Sequence, residues 1–223
     1  MQVAVRRRSE SGFSFIEILV VMGIITLLTS MVVVVIPLIT ERANQTKSRD
    51  NVKSLLTYML DMKLSKGGYP PYSGKCFTLA PIAYGMIDPE GAGALDVFFS
   101  PADQYLKLGK VDVARYKEVT KNALKSGTDF NELTSYAGRL NASKDCLLID
   151  SAQAAKDTLC LCDDDDGPLH HSGGLVVGFS GGKSDFWDWD QLGMSKPSNT
   201  KNPDPFLGES ASSDMLRCLS KGN

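Results

Sequence analysis

The run ILVVMGIITLLTSMVVVVIPLI, residues 18–39, contains no charged side chain, and no other feature constrains the folding of this chain as strongly. About 20 consecutive apolar residues are enough to cross the hydrocarbon core of a bilayer as a helix. Three structures would use such a run: a removable secretory signal, a permanent anchor, or a buried core helix. A secretory signal carries an apolar region of about 7 to 15 residues followed by small residues at a cleavage site. This run is longer and leads into TERANQ. A core helix is usually shorter and rarely as valine-rich as MVVVVI. A spanning anchor fits best. Arg6, Arg7 and Arg8 precede it, so the positive-inside bias places the N-terminus in the cytoplasm and the C-terminal bulk across the membrane.

The 223 residues leave room for one modest domain beside the anchor. The formal net charge is -2, and no Lys/Arg-rich stripe occurs beyond the N-terminal arginines, so nucleic-acid binding is not expected.

Glu17 is the single charge among residues 11–39. A carboxylate at the centre of a span costs about 2.5 to 3.5 kcal/mol on insertion scales, less near the interface, so Glu17 belongs either at headgroup depth or with a partner. Cleavage after Gly12 would leave Phe13 as the first residue, with a free α-amino group and Glu17 one helical turn below it.

These residues resemble a known family. GFSFIEILVVMGIITLL is similar to the class III signal of type IV pilins and type II secretion pseudopilins: a short basic leader, Gly, an aromatic residue, Glu as fifth residue of the mature chain, then a long apolar helix. The resemblance implies that a prepilin peptidase cuts between Gly12 and Phe13 on the cytoplasmic side and N-methylates Phe13. It implies further partners: other pilin or pseudopilin subunits in a homopolymer, and the inner-membrane platform of a secretion system. The protein would sit in the inner membrane with a periplasmic head, then in a filament in the periplasm or at the cell surface. Glu17 would pair with the Phe13 amine of a neighbouring subunit and fix the axial register. Pro37, the helix-bending proline, stands slightly later than in many pilins.

Beyond Pro37 the chain turns polar. Val52, Leu55, Leu56 and Met59 recur at helical spacing, while Lys47, Arg49, Asp50, Lys53 and Asp61 occupy the other face. The spacing predicts one helix from Ser14 to about Lys66, roughly 80 Å long. Gly67 and Gly68 end it, and YPPY cannot continue it. The expected divisions are a leader at 1–12, a transmembrane and polymerisation half-helix at 13–39, an amphipathic half at 40–66, a head at 67–192, and a tail at 193–223. The stretch from Phe77 to Tyr105 reads as a short helix or loop, and DVARYKEVTKNALKSG as a helical or loop insertion. TSYAGRL and CLLIDS are strand candidates, and GGLVVGFSGGKSDFWDW reads as a hairpin turning at Gly181-Gly182. The expected fold class is α+β and pilin-like, with the long helix packed on a small antiparallel sheet.

A second resemblance covers the C-terminal half. VFFSPAD, SYAGR, LLIDS and HHSGGLVVGFSGGKSDF occur in the order found in pseudopilin-like proteins, known best from planctomycetes, whose C-terminal domain carries a His, nine residues and Asp-Gly. Here His171 and nine residues lead to Gly181-Gly182, so the aspartate is missing, and Ser100 stands where many members have cysteine.

CLCDDDDGPLHH gathers Cys160, Cys162, four aspartates, His170 and His171 in twelve residues. Cys-x-Cys with a nearby His would supply three zinc ligands, but a second pair at the usual spacing is absent. Calcium takes six to eight oxygens, and Asp185, Asp188 and Asp190 form a candidate calcium set. Four adjacent aspartates otherwise read as a solvated loop. The cysteines Cys76, Cys146, Cys160, Cys162 and Cys218 would all face an oxidising compartment. A bridge from Cys218 would pin the Pro/Ser/Asn-rich tail, and a Cys160–Cys162 bridge is disfavoured by its short loop. Trp187 and Trp189 read as sheet packing. No nucleophile elbow, phosphate-binding loop or His-Glu-x-x-His motif occurs, so an enzyme is not expected. Two functions remain: a filament subunit, and an anchored periplasmic ligand-binding module that never polymerises.

Overall fold

The computed structural model describes residues 13–103, 111–139, 158–163, 169–198, 207 and 216–220. Helix α1 (Phe15–Lys66) holds 52 residues and contains Pro37. It ends as expected: Gly67 adopts a φ of +81°, and its amide donates to the Lys63 carbonyl at 2.9 Å. The chain divides into two units, Met1–Arg42 and Ala43–Asn223. In the first unit, every described residue from Phe13 to Thr40 is exposed. In the second, Ser48, Asn51, Val52, Leu55, Leu56, Met59 and Met62 of α1 are buried, so the apolar stripe legible at helical spacing is the buried face.

Among the described residues, the segments between α1 and the first strand are α2 (Gly74–Ala83), a 3-10 turn (Asp96–Phe98), α3 (Val113–Lys117), α4 (Lys121–Ser126) and a 3-10 turn (Asn131–Leu133). The N-caps of α3 and α4 are Asp112 and Thr120, whose side chains accept from the amides of Ala114 and Ala123. The sheet comprises β1 (Tyr136–Arg139), β2 (Leu159–Asp163), β3 (Gly174–Phe179), β4 (Ser184–Asp188) and β5 (Leu219–Ser220), in the order β4-β3-β2-β1-β5 with all pairs antiparallel.

Strand alternation sorts the side chains into two cores. Val176 joins Tyr136, Cys160, Leu161 and the apolar faces of α1 and α2 in the first. Leu175, Val177, Phe179, Ala137 and Cys162 join Trp189, Leu192, Leu207, Leu216 and Leu219 in the second. A register shift between Leu159 and Leu161 lets adjacent Cys160 and Leu161 enter the same core. Helix α1 lies close to β3 at Gly178, where a Cβ would stand 2.6 Å from Val52 Cγ1 and 3.0 Å from Leu56 Cδ1.

The expected hairpin is present as β3 and β4. Its loop is Ser180-Gly181-Gly182, closed by the Phe179 amide on the Lys183 carbonyl at 2.8 Å. TSYAGRL contains β1, whereas CLLIDS lies outside the described residues. Within the tail, residues 219–220 form β5, and Leu207, Leu216 and Leu219 are buried. A polar composition masked three widely spaced leucines that belong to the second core. Cys218 is disulfide-bonded, while Cys76, Cys160 and Cys162 are buried thiols.

Candidate functional site

Phe13 lies just before α1, 86% exposed, and Gly12 lies outside the described residues. The Glu17 carboxylate accepts a hydrogen bond from the Ser14 amide at 2.7 Å. Ser14 immediately precedes the helix and Glu17 is its third residue, so the pair forms half of a capping box, and the carboxylate also faces the positive end of the helix dipole. The sequence carries this signal as Ser-x-x-Glu before an apolar run, a local role additional to the one the family resemblance implies.

Polar groups within the apolar segment are satisfied inside the helix. Thr26 donates to the Met22 carbonyl at 2.8 Å, Ser30 to Leu27 at 2.7 Å, and Thr40 to Ile36 at 3.0 Å. A helix in hydrocarbon must meet this condition, because no water is available to solvate unpaired groups. The apolar side chains have no covering within the chain: the most apolar part of α1 is entirely unburied.

The cluster considered for zinc has another arrangement. Cys160 and Cys162 are core residues of β2 assigned to different cores. Burial pushes the Cys160 thiol well above its ordinary range, with Arg139 working weakly against it, and the thiol donates to the Gly178 carbonyl at 3.4 Å. The carboxylates considered for calcium are not brought together either. Asp185 and Asp188 are three residues apart on β4, hence on opposite faces, and Asp190 follows in a turn. Burial acts to raise Asp185, but the Phe186 amide, Lys183 and Arg49 outweigh it and hold the carboxyl below its ordinary value. Asp188 accepts from the Gln191 amide at 2.8 Å. Among the described residues, no three His, Cys, Asp or Glu side chains are grouped to hold a metal ion. Trp189 is buried in the second core and donates to the Ser172 carbonyl at 3.3 Å, and Trp187 packs against Phe179 with ring centroids 5.3 Å apart.

The two histidines instead enter a buried polar knot that the sequence did not reveal. His171 Nε2 lies 3.1 Å from Ser48 Oγ on α1, and Ser48 Oγ lies 3.0 Å from Ser100 Oγ. His170 stands between two buried carboxylates, with Nε2 3.5 Å from Asp103 and Nδ1 3.6 Å from Asp163. Ser135 donates to Asp103, and the Val176 amide donates to Asp163 at 2.7 Å. Asn51 of α1 donates to the carbonyls of Asp96 and Phe99 at 3.2 and 2.8 Å. Three of the quoted pieces, VFFSPAD, SYAGR and HHSGG, therefore meet at one place, through Ser100 and Asp103, Ser135, and His170 and His171. A Ser–His pair invites comparison with a nucleophile and its base. Here the Ser48 residue is fully buried, and the Asp163 carboxylate approaches the same Nε2 at 4.0 Å rather than orienting the ring from Nδ1. The arrangement suits fastening of α1 to the loops and sheet: each buried polar atom it pairs is one whose isolation would cost about 1 to 3 kcal/mol.

Residues 7–33 match the family model described as the prokaryotic N-terminal methylation motif. No curated protein and no solved structure matches the chain. Fold and motif together define an α+β protein that carries a prepilin-type processing signal on a membrane-anchoring apolar helix.

Proposed function

We propose that the chain is the precursor of a structural subunit of a type II secretion pseudopilus or a related type IV pilus-like filament. The observation that carries this reading is the match of residues 7–33 to the methylation motif; Gly12, Phe13 and Glu17 fall within the matched stretch. The peptidase removes residues 1–12 on the cytoplasmic face and methylates the Phe13 amine, leaving it cationic. The mature helix stays in the inner membrane as a single pass, with the head on the periplasmic side, until the assembly platform extracts it. In the filament, the apolar segments bundle with one another and exchange lipid for protein. Glu17 then faces the Phe13 amine of a neighbouring subunit. An unpaired charge in that bundle is costly, and a paired one is accommodated only at the correct axial offset.

Intact-mass and N-terminal peptide mass spectrometry of the protein from its native membrane tests the reading. An N-methylated Phe13 start is expected, and an intact Met1 start with the leader attached would overturn it. Replacing Gly12 with leucine is expected to block cleavage, since a bulky side chain occupies the position that glycine leaves open to the peptidase.

A further inference from the structure

Among the described residues, β4 is the last strand on its side of the sheet. The Phe179 amide donates to the Lys183 carbonyl, so that pair is hydrogen-bonded, and bonded pairs alternate with unbonded ones along an antiparallel ladder. By this alternation Val177–Asp185 and Leu175–Trp187 are bonded pairs, whereas Gly178–Ser184, Val176–Phe186 and Gly174–Asp188 are not. The amides and carbonyls of Ser184, Phe186 and Asp188 therefore face away from β3. Such a row is a template on which a strand of another chain can pair.

Two of these three amides are already taken, each by a side chain of the same segment. The Phe186 amide donates to Asp185 Oδ1 at 2.9 Å, and the Asp188 amide donates to Gln191 Oε1 at 3.0 Å. Both acceptors are themselves held. Arg49 of α1 approaches the same Asp185 oxygen at 3.7 Å, and Lys183 approaches the other oxygen at 3.2 Å. Because the Phe186 amide points outward, the carboxylate that accepts from it lies on the open edge, and these two cations accompany it there. Gln191 is fixed reciprocally: its amide donates to Asp188 Oδ1 at 2.8 Å, and the Leu192 amide donates to the Asp188 carbonyl at 3.1 Å. The turn after β4 thus takes up both main-chain groups of Asp188. An incoming strand would have to displace two caps and desolvate Asp185, Arg49 and Lys183, and charged side chains at an edge oppose pairing.

We propose that Asp185 and Gln191 are edge caps that keep β4 of one copy from pairing strand to strand with β4 of another. This goes beyond the filament reading and holds whether or not the chain polymerises. Copies anchored side by side in a membrane meet at high local concentration, the condition under which an open edge would be used. The test compares full-length variants purified in detergent, by sedimentation velocity at equal concentration. Asp185→Ala with Gln191→Ala removes both acceptors and is expected to raise the fraction of dimers and larger species about tenfold over the wild type. Asp185→Asn with Gln191→Glu keeps an acceptor oxygen at each position and the same net charge, and is expected to sediment as the wild type does. Wild-type sedimentation of the alanine variant, or equal association of both variants, overturns the proposal. Should the alanine variant fold poorly, amide hydrogen exchange of the unaltered protein gives an independent readout. After correction for intrinsic rates, the Phe186 and Asp188 amides are expected to exchange about tenfold or more slowly than that of Ser184, which faces the same way and has no side-chain cap among the described residues. Equal rates at the three positions would show that the caps do not close the edge, and the proposal falls with them.

Discussion

Glu17 has two roles open to it, and they separate by substitution. In the uncleaved chain its carboxylate caps the Ser14 amide, a task a glutamine amide also performs. In the proposed filament it must carry a negative charge toward a methylated Phe13 amine. Glu17→Gln is therefore expected to insert and be cleaved normally yet assemble poorly, because removing one partner of a desolvated pair costs about 3 to 5 kcal/mol. Filament counts by electron microscopy, set against membrane-fraction levels, decide it: wild-type assembly from Glu17→Gln would reduce the residue to a helix cap. Asp185 offers a smaller effect with a definite sign. Its carboxyl is held below its ordinary value despite burial, by the Phe186 amide, Lys183 and Arg49. A depressed folded-state pKa means that its stabilisation is fully present above the ordinary aspartate value of about 3.9 and is lost as pH falls through the lower folded value. Asp185→Asn has no such acid limb, so its melting temperature should fall less than the wild type's between about pH 5 and pH 3. The side chain is one-third exposed, which limits the difference to under about 1 kcal/mol.

At the scale of elements, the closest approach is α1 on β3. Gly178→Ala would place a methyl group 2.6 Å from Val52 Cγ1 and 3.0 Å from Leu56 Cδ1. Valine has no flexible tip to swing aside, so the strand or helix must shift, at a cost of about 1 to 3 kcal/mol. Chemical denaturation measures that loss, and pairing the change with Val52→Ala should cost less than the sum of the two singles, since the second substitution opens the space the first one needs. The same contact shows which elements the sequence announces. The head-facing stripe of α1 and the β3–β4 hairpin were legible because their signals are local: helical spacing in one, a double glycine between apolar runs in the other. Helix α2 was only partly legible, being buried from Gly74 to Ile82 and carrying Pro81 within it, so it shows no polar face to set a period. Strand β2 was obscured by its residue types, because Cys160, Cys162 and Asp163 suggested ligands where they are core positions and a buried acceptor. The polar knot was illegible for a different reason. Ser48 and His171 are 123 positions apart, and nothing in either neighbourhood specifies the other.

For the whole molecule, the second core depends on chain that returns from far away. Among the described residues, strand β5 pairs with β1 through Gly138–Ser220 and Arg139–Leu219, a short ladder to hold the tail unaided. Leu216 and Leu219 are fully buried, and Cys218 between them is disulfide-bonded. The covalent link limits how far these leucines can stray in the unfolded chain, and such links typically contribute about 2 to 4 kcal/mol. Structural disulfides persist in oxidising compartments, which agrees with the proposed placement of the head on the periplasmic side. Cys218→Ser, or reduction of the native protein, is therefore expected to lower the melting temperature and expose the second core to a hydrophobic dye, while the methylation motif and membrane insertion remain intact. Alkylation read by mass spectrometry supplies the check. Cys76, Cys160 and Cys162 are buried thiols that should take up label only on unfolding, whereas Cys218 should require reduction as well. Labelling of Cys218 in unreduced, unfolded protein from the native membrane would show that the bridge is not formed there, and the tail would then have to be held by its leucines alone.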